Sequence, residues 1–378
     1  KLLLKEDLIP RKADTLLFWL APMLAFAGAF GIYVVIPWGP GMVPANLDVG
    51  LVYVVAISSL STVGIIMAGW ASNNKYALYG GFRSAAQAVS FEIPLMVSVV
   101  PIVMYSGSLN LTEITSIQAG GIQNWTVLRF FPFFFIGFFA FFISALAEVN
   151  RTPFDMPEGD QEIVGGFHVE YSGIRFGMFF LGEYAAMLAV GLIASVAFLG
   201  GWHSAWPKAL SGFNPIKIIG HSIATSSAMK PAMGTSLATG VIALGIIIVW
   251  LGTNAIYEWN ISQYHQSEYL RYFNVFMGFS IFLIPVVFGN GPVNLFVKAF
   301  FFVFVMFWLR WTLPRVRPDQ LMFTCWKVLV PLGFINLAGI GLWMACGPLV
   351  AFLSLVVFIL ILGVLSMFPP TTEASTSS

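Results

Sequence analysis

The stretch EVNRTPFDMPEGDQEIVGGFHVEYSGIRFGMFFLGE, residues 148–183, carries seven of the chain's 17 acidic residues within 36 positions. These acids are Glu148, Asp155, Glu158, Asp160, Glu162, Glu170 and Glu183. Only two cations, Arg151 and Arg175, lie among them, and long apolar runs flank the stretch on both sides. Carboxylates held between membrane segments are energetically costly and usually belong to a path for protons, ions or substrate. The stretch therefore indicates a functional acidic loop in a membrane protein.

The composition places the whole chain in the membrane class. Of its 378 residues 58% are hydrophobic and 9% are charged, whereas soluble domains contain about 25% charged residues. The net charge of +1 offers no basic surface for nucleic acid. Two cysteines without CxxC spacing and four scattered histidines predict neither a disulfide framework nor a metal site. No nucleotide-binding or hydrolase signature is present.

Ten apolar runs are long enough to cross a hydrocarbon core of about 30 Å. They are 16–36, 49–69, 84–105, 129–147, 176–200, 236–257, 273–290, 292–309, 328–346 and 348–368. Period-two alternation is absent, and an open sheet edge cannot face lipid. We therefore predict an all-α, polytopic transmembrane helix bundle of about ten spans, forming a single membrane domain over 1–378. The tail, 369–378, is predicted to be disordered by its composition.

The distribution of lysine and arginine predicts the orientation of the bundle. Four cations are assigned to the side opposite the N-terminus, and one lies inside a span. The other thirteen fall on the side of residues 1–15: Lys1, Lys5, Arg11, Lys12, Lys75, Arg83, Arg151, Arg175, Arg271, Arg310, Arg315, Arg317 and Lys327. This bias makes that side cytoplasmic, or the matrix side in an organelle. The acidic stretch is then a cytoplasmic loop.

Two glutamates, Glu92 and Glu183, lie inside predicted spans that both begin on the cytoplasmic side. At 1.5 Å per residue each carboxylate is about 10–12 Å deep. Two membrane-embedded glutamates at matching depth, below a loop with five more acids, are typical of a proton relay. Glu148 differs from them, because it closes the cytoplasmic end of the span 129–147. In the alternative interpretation, each glutamate pairs with Arg83 or Arg175 and only holds helices together.

A proline lies close to Glu92. Pro94 removes the amide that would bond the carbonyl of Ser90, and Pro101 does the same further along. The resulting kink could admit water beside Glu92 or could simply serve helix packing.

Long motifs in the chain resemble the family of quinone-chamber membrane subunits of respiratory complex I. The motifs are KEDLIPRKADTLLFWLAPMLAF (5–26), AGWASNNKYALYGGFRSAAQAVSFEIP (68–94), AEVNRTPFDMPEGDQEIVGGFHVEYSG (147–173), FFLGEY (179–184) and TLPRVRPDQLMFTCWKVLVPLGFIN (312–336). The resemblance covers most of 1–200 and 292–346. It implies a family core of seven helices, with the family's first helix preceding residue 1. Residues 201–291 would be an insertion with two extra spans, and 347–368 an extra C-terminal span.

The resemblance also implies a function and a set of site residues. The chain would be a membrane subunit of a proton-translocating NADH:quinone oxidoreductase, without a redox centre of its own. The proton relay would comprise Glu92, Glu148, Asp155, Glu158, Asp160, Glu162, Glu170 and Glu183. The quinone cavity or its lining would involve Asp14, Arg83, Arg151, Phe167, Arg175, Arg310 and Arg315. Two positions depart from the family pattern, since Asp160 and Phe91 stand where a longer acid and a tyrosine are common.

The same resemblance implies the surroundings of the chain. Quinone is the expected substrate, while flavin and iron–sulfur clusters are expected only in partner subunits. The expected partners are the peripheral-arm iron–sulfur and quinone-site subunits, small neighbouring membrane-arm subunits and lipid. The expected location is the bacterial inner membrane, with the mitochondrial inner membrane as the alternative. Two other functions stay open at this point: the homologous heel subunit of a membrane-bound hydrogenase, and an ion or proton carrier.

Overall fold

The computed structural model describes residues 2–157, 164–203 and 291–347, and these residues form helices joined by turns. The helices are α1 Thr15–Gly31, α2 Gly50–Ala71, α3 Lys75–Ser106, α4 Leu111–Ile117, α5 Thr126–Arg129, α6 Phe133–Glu148, α7 Gly173–Phe198, α8 Gly291–Thr312, α9 Pro318–Phe323 and α10 Val330–Cys346. A π-helical segment, Thr324–Leu329, joins α9 to α10. Within the described ranges the only β-type pairing is one bridge between Gly39 and Met42. The all-α prediction is confirmed for this part of the chain.

In the described part of the chain, six helical segments are long and apolar enough to cross a membrane. They are Thr15–Val35, Gly50–Ala71, Lys75–Ser106, Gly173–Phe198, Gly291–Thr312 and Pro318–Cys346. Helix α6 is also apolar but has 16 residues, which makes it about 24 Å long. The predicted spans 236–257, 273–290 and 348–368, and the tail 369–378, lie outside the described residues. The count of ten spans therefore stays a prediction.

Helix α3 is longer than the run 84–105 predicted, because its start is set by a cap and not by hydropathy. The side chain of Asn74 accepts a hydrogen bond from the amide of Tyr76 at 3.0 Å, as expected of an N-cap residue. The helix then continues through Pro94, and the carbonyl of Ser90 accepts a hydrogen bond from Cys325 Sγ at 3.0 Å. A neighbouring helical segment thus satisfies the freed carbonyl, which favours helix packing over water entry at this point.

Helices α1, α2 and α3 form an antiparallel series, and α7 packs beside α1 in the same direction as α1. The contact between α1 and α2 depends on Gly64, where a Cβ would come within 2.6 Å of the amide nitrogen of Ala25. Such close approach of two backbones is typical of small residues at membrane helix contacts. The near side is defined here as the side of residues 2–14 and 149–157, and the far side as the opposite one.

The far end of α7 is held by Lys298 of α8. Its ammonium donates hydrogen bonds to the carbonyls of Leu199, Gly201 and His203 at 2.6, 2.9 and 2.8 Å. The same ammonium lies 4.6 Å from the ring centre of Trp125. A cation at a helix C-terminus satisfies orphan carbonyls and opposes the helix dipole. Lys298 is the one lysine that the sequence places inside a span, and these contacts give it a structural role.

Candidate functional site

A cavity of about 160 Å³ lies between α1, α2, α3, α7 and the C-terminal end of α6. Its polar lining residues are Ser58, Ser61, Thr62, Ser84, Glu148, Asn150, His168 and Glu183. Its aromatic wall consists of Phe167, Phe176, Phe179 and Phe180. The cavity thus joins two carboxylates from the acidic stretch to an apolar, ring-lined surface.

The turn that carries Phe167 closes the near side of the cavity, and a glycine in α3 makes this possible. A Cβ at Gly80 would come within 2.7 Å of both the Gly166 Cα and the Phe167 amide nitrogen. Only a residue without a side chain allows the turn to lie this close to α3. Phe167 is then buried and packs edge-on against Phe179, with ring centres 5.4 Å apart. The turn that carries Phe167 therefore packs directly against α3 and α7.

Glu183 is held by an arginine from the same acidic stretch. Arg151 Nε lies 2.9 Å from Glu183 Oε1, and the guanidinium lies 4.5 Å from the ring centre of Tyr184. Arg151 is only 5% exposed, so the ion pair is poorly screened by water. Arg175, the partner considered from the sequence, pairs instead with Asp7 at 2.9 Å.

Glu148 has different neighbours. It lines the cavity together with Ser58, whose hydroxyl donates to the carbonyl of Val55 at 2.9 Å, and the charge of Glu92 is close enough to act on it. Within the described residues, no cation lies within ion-pair distance of Glu148. Two carboxylates therefore face one cavity, but only Glu183 has an arginine partner.

A second, smaller cavity of about 40 Å³ continues from Glu148 towards the far side. It shares Ile32, Ser58, Glu148 and Val190 with the first cavity. The rest of its lining is apolar: Leu51, Val54, Val55, Leu95, Met96, Val99, Leu111, Phe141 and Ile193. Glu148 and Ser58 thus lie at the boundary between a cavity with several polar lining residues and one whose other lining residues are all apolar.

Two residues that line the first cavity each have a buried polar atom without a hydrogen-bond partner among the described residues. Ser84 Oγ and Asn150 Oδ1 have no hydrogen-bond partner within the described part of the chain. Buried polar groups are usually satisfied by protein or by ordered water, and a cavity of this size and polarity has room for water. The arrangement therefore favours a hydrated chamber around the two carboxylates.

Comparison with known proteins gives a consistent result. A family profile described as NADH dehydrogenase matches residues 1–341. An NADH-quinone oxidoreductase subunit of Chlorobium luteolum is 38% identical over 352 residues, which cover 92% of this chain and 76% of the relative.

The corresponding subunit of Brevibacillus brevis is 39% identical over 337 residues, covering 89% of this chain and 75% of the relative. The corresponding subunit of Koribacter versatilis is 40% identical over 341 residues, covering 88% and 76%.

The chain belongs to the NADH dehydrogenase family. The resemblance that the motifs indicated is therefore confirmed. The cavity lies within the part of the chain that the NADH dehydrogenase profile matches.

The structure brings together only some of the residues that the NADH dehydrogenase resemblance implied. Glu148, Glu183 and Phe167 line the cavity, and Arg151 reaches it through its ion pair. Glu92 lies close enough to Glu148 to act on its charge.

Other implied residues lie outside the lining of this cavity. Asp14 is exposed and caps α1, while Arg310 is exposed in the last turn of α8. Glu170 accepts a hydrogen bond from Asn74 Nδ2 at 2.7 Å. Arg175 pairs with Asp7.

The remaining implied residues lie in the near-side loops or next to a cavity-lining residue in the sequence. Arg315 Nη2 donates to the carbonyl of Met156 at 3.4 Å. Arg83 directly precedes Ser84 of the cavity, and Asp155 is partly buried in the segment that follows Arg151. Glu158, Asp160 and Glu162 lie outside the described residues.

Several residues of the site carry no signal in the sequence. His168, Asn150 and the hydroxyls of Ser58, Ser61 and Thr62 line the cavity, yet each looks like an ordinary polar residue of a helix or turn. Nearby, Tyr171 stacks on Phe18 with ring centres 4.0 Å apart. Burial raises the pKa of the Tyr171 phenol, so this hydroxyl stays protonated at neutral pH.

Proposed function

We propose that the chain forms part of the quinone cavity of a proton-translocating NADH:quinone oxidoreductase and begins the acidic relay that couples quinone reduction to proton movement. As a family member it is a subunit of that enzyme complex. The observation that carries the proposal is the pair Glu148 and Glu183, which face one cavity but have unlike partners.

The unlike partners give the two carboxylates different roles. Glu183 is bound by Arg151, and removing its charge would leave a buried guanidinium unpaired, which is costly. Glu148 has no ion-pair partner among the described residues, so protonating it would leave no buried cation unpaired. Glu148 is therefore the exchanging group in the proposal, and Glu183 stays ionised beside Arg151.

The residues that line the cavity support the binding of a quinone at this site. Ligand pockets combine apolar and aromatic walls with a few converging polar groups. The phenylalanine wall suits a flat ring, and His168 and the hydroxyls offer hydrogen bonds to carbonyl oxygens. Water in the same chamber would carry protons between the acids. Flavin and iron–sulfur clusters belong, in this proposal, to partner subunits.

The near-side loops support a partner-binding role. The amide of Val316 donates to the carbonyl of Pro153 at 3.0 Å, and Arg315 contacts Met156. The segment after Arg151 and the loop after α8 thus form one surface beside the cavity. In the proposal this surface receives the peripheral-arm subunits on the cytoplasmic side, in a bacterial inner membrane.

Changing Glu148 or Glu183 to glutamine tests the relay. Glu148→Gln removes the group that exchanges the proton, and Glu183→Gln removes the negative charge held beside it by Arg151. Both keep the size of the side chain, and the number of protons moved per electron should fall in the assembled complex. The measurement compares proton uptake with NADH oxidation by the complex in sealed vesicles.

Glu113→Gln is the matched control, because Glu113 is exposed in the first turn of α4 on the far side. Its ratio of protons to electrons should equal that of the unchanged complex. An unchanged ratio in both Glu148→Gln and Glu183→Gln would refute the relay.

A further inference from the structure

A third concavity, separate from the two cavities described above, opens on the outer face of α1, α2 and α3. It is a groove of about 180 Å³, and every residue that lines it is apolar: Leu17, Ile66, Met67, Trp70, Leu78 and Phe82. Trp70 is 64% exposed and Phe82 is 53% exposed. The groove therefore faces outward from the described helices and belongs to no site discussed above.

The position of the groove along the helices places it at the near-side edge of the membrane. Leu17 is in the first turn of α1, Trp70 is next to the last residue of α2, and Leu78 is in the first turn of α3. Tyr79, one residue further, is 61% exposed. Exposed tryptophan and tyrosine at this depth are typical of a lipid interface.

Cations lie at the near end of the groove. Lys75, Leu78 and Phe82 are spaced i, i+3 and i+7, so Lys75 continues the groove-lining face of α3. The backbone of Lys12 is tied to the turn that follows Trp70, since Asn73 Nδ2 donates to the Lys12 carbonyl at 3.1 Å. Both lysines and the neighbouring Arg11 are exposed.

Two carboxylates lie near these cations, and each already accepts a hydrogen bond. Asp14 accepts from the amide of Leu17 at 3.5 Å, and Glu170 accepts from Asn74. Among the described residues neither Lys12 nor Lys75 forms an ion pair, and the Lys75 ammonium lies 5.2 Å from the ring centre of the exposed Tyr76. Both cations can therefore meet an anionic group above the apolar groove.

We infer that this groove binds an acidic phospholipid of the near leaflet. One acyl chain lies against Trp70, Leu78 and Phe82, and the phosphate lies at Lys12 and Lys75. An acyl chain fits a narrow and wholly apolar groove, while the cations select a negative headgroup. Each cation near a membrane surface strengthens binding of acidic lipid.

The test uses the assembled complex in vesicles that contain photoactivatable phosphatidylglycerol or photoactivatable phosphatidylcholine. Crosslinks are mapped by mass spectrometry. Peptides from 66–82 should be labelled roughly 30-fold more by phosphatidylglycerol, as expected for two surface cations. Equal labelling by the two lipids would overturn the inference. So would the absence of label on these peptides from both lipids while other near-side peptides of the complex are labelled.

The double substitution Lys12→Gln and Lys75→Gln should reduce phosphatidylglycerol labelling to the level of phosphatidylcholine. Both side chains are exposed, so the fold does not depend on them. The matched control, Lys5→Gln with Lys327→Gln, removes two exposed cations of the same side. That control should keep the preference, and an unchanged preference in the Lys12 and Lys75 variant would refute the headgroup site.

Discussion

At the scale of single residues, the ion pair between Arg151 and Glu183 is the most consequential contact of the site. Arg151→Gln would leave the Glu183 carboxylate partly buried without its cation, which costs on the order of 3 kcal/mol. We expect a clear fall in the thermal stability of the assembled complex, measured as the temperature of half-inactivation. The sequence-based hypothesis considered Arg83 and Arg175 as partners, and the pairing with Arg151 depends on how α7 lies beside the end of α6.

The double variant Arg151→Gln with Glu183→Gln supplies the control. It removes both charges, so no buried charge is left unpaired, and its stability should lie closer to that of the unchanged complex. A double variant less stable than Arg151→Gln alone would contradict this account of the pair.

At the scale of helices, the C-terminal end of α7 depends on Lys298. Lys298→Met would leave three carbonyls without their donor, at a cost of about 1–3 kcal/mol. We expect faster proteolysis near Leu199 and a lower thermal stability of the complex. Lys327→Met is the control, since the Lys327 side chain is exposed and only contacts the ring of Phe323. Equal stability of the two variants would show that the carbonyl contacts of Lys298 contribute little.

At the scale of the whole molecule, the direction of each helix follows from the orientation of the bundle. In a Cys346→Ala background, Lys5→Cys should react with a membrane-impermeant maleimide only from the cytoplasmic side. Glu113→Cys should react only from the opposite side. Both positions are exposed in the structure, and an odd number of crossings separates them. Labelling of Glu113→Cys from the cytoplasmic side would contradict the orientation derived from loop charges.

The sequence by itself determined the helical class, the positions of the described membrane helices and the family. These properties are local or linear: an apolar run of sufficient length must be helical in lipid, because its backbone can satisfy its hydrogen bonds only internally. The motifs around Glu148 and Glu183 were likewise contiguous in the chain. Helix ends were less predictable, as α3 shows, because the cap at Asn74 lies outside the apolar run.

Only the tertiary structure decided which of the acids share a cavity and which cation each one meets. Glu148, Ser58, His168 and Glu183 come from different helices and a turn, so no spacing in the sequence connects them. Their convergence depends on close helix contacts such as Gly64 against Ala25 and Gly80 against Gly166. Small residues are common in membrane helices, and a glycine in the sequence does not show which neighbour it admits. The packing of the helices therefore determines that two carboxylates of the acidic stretch share one cavity and have different partners.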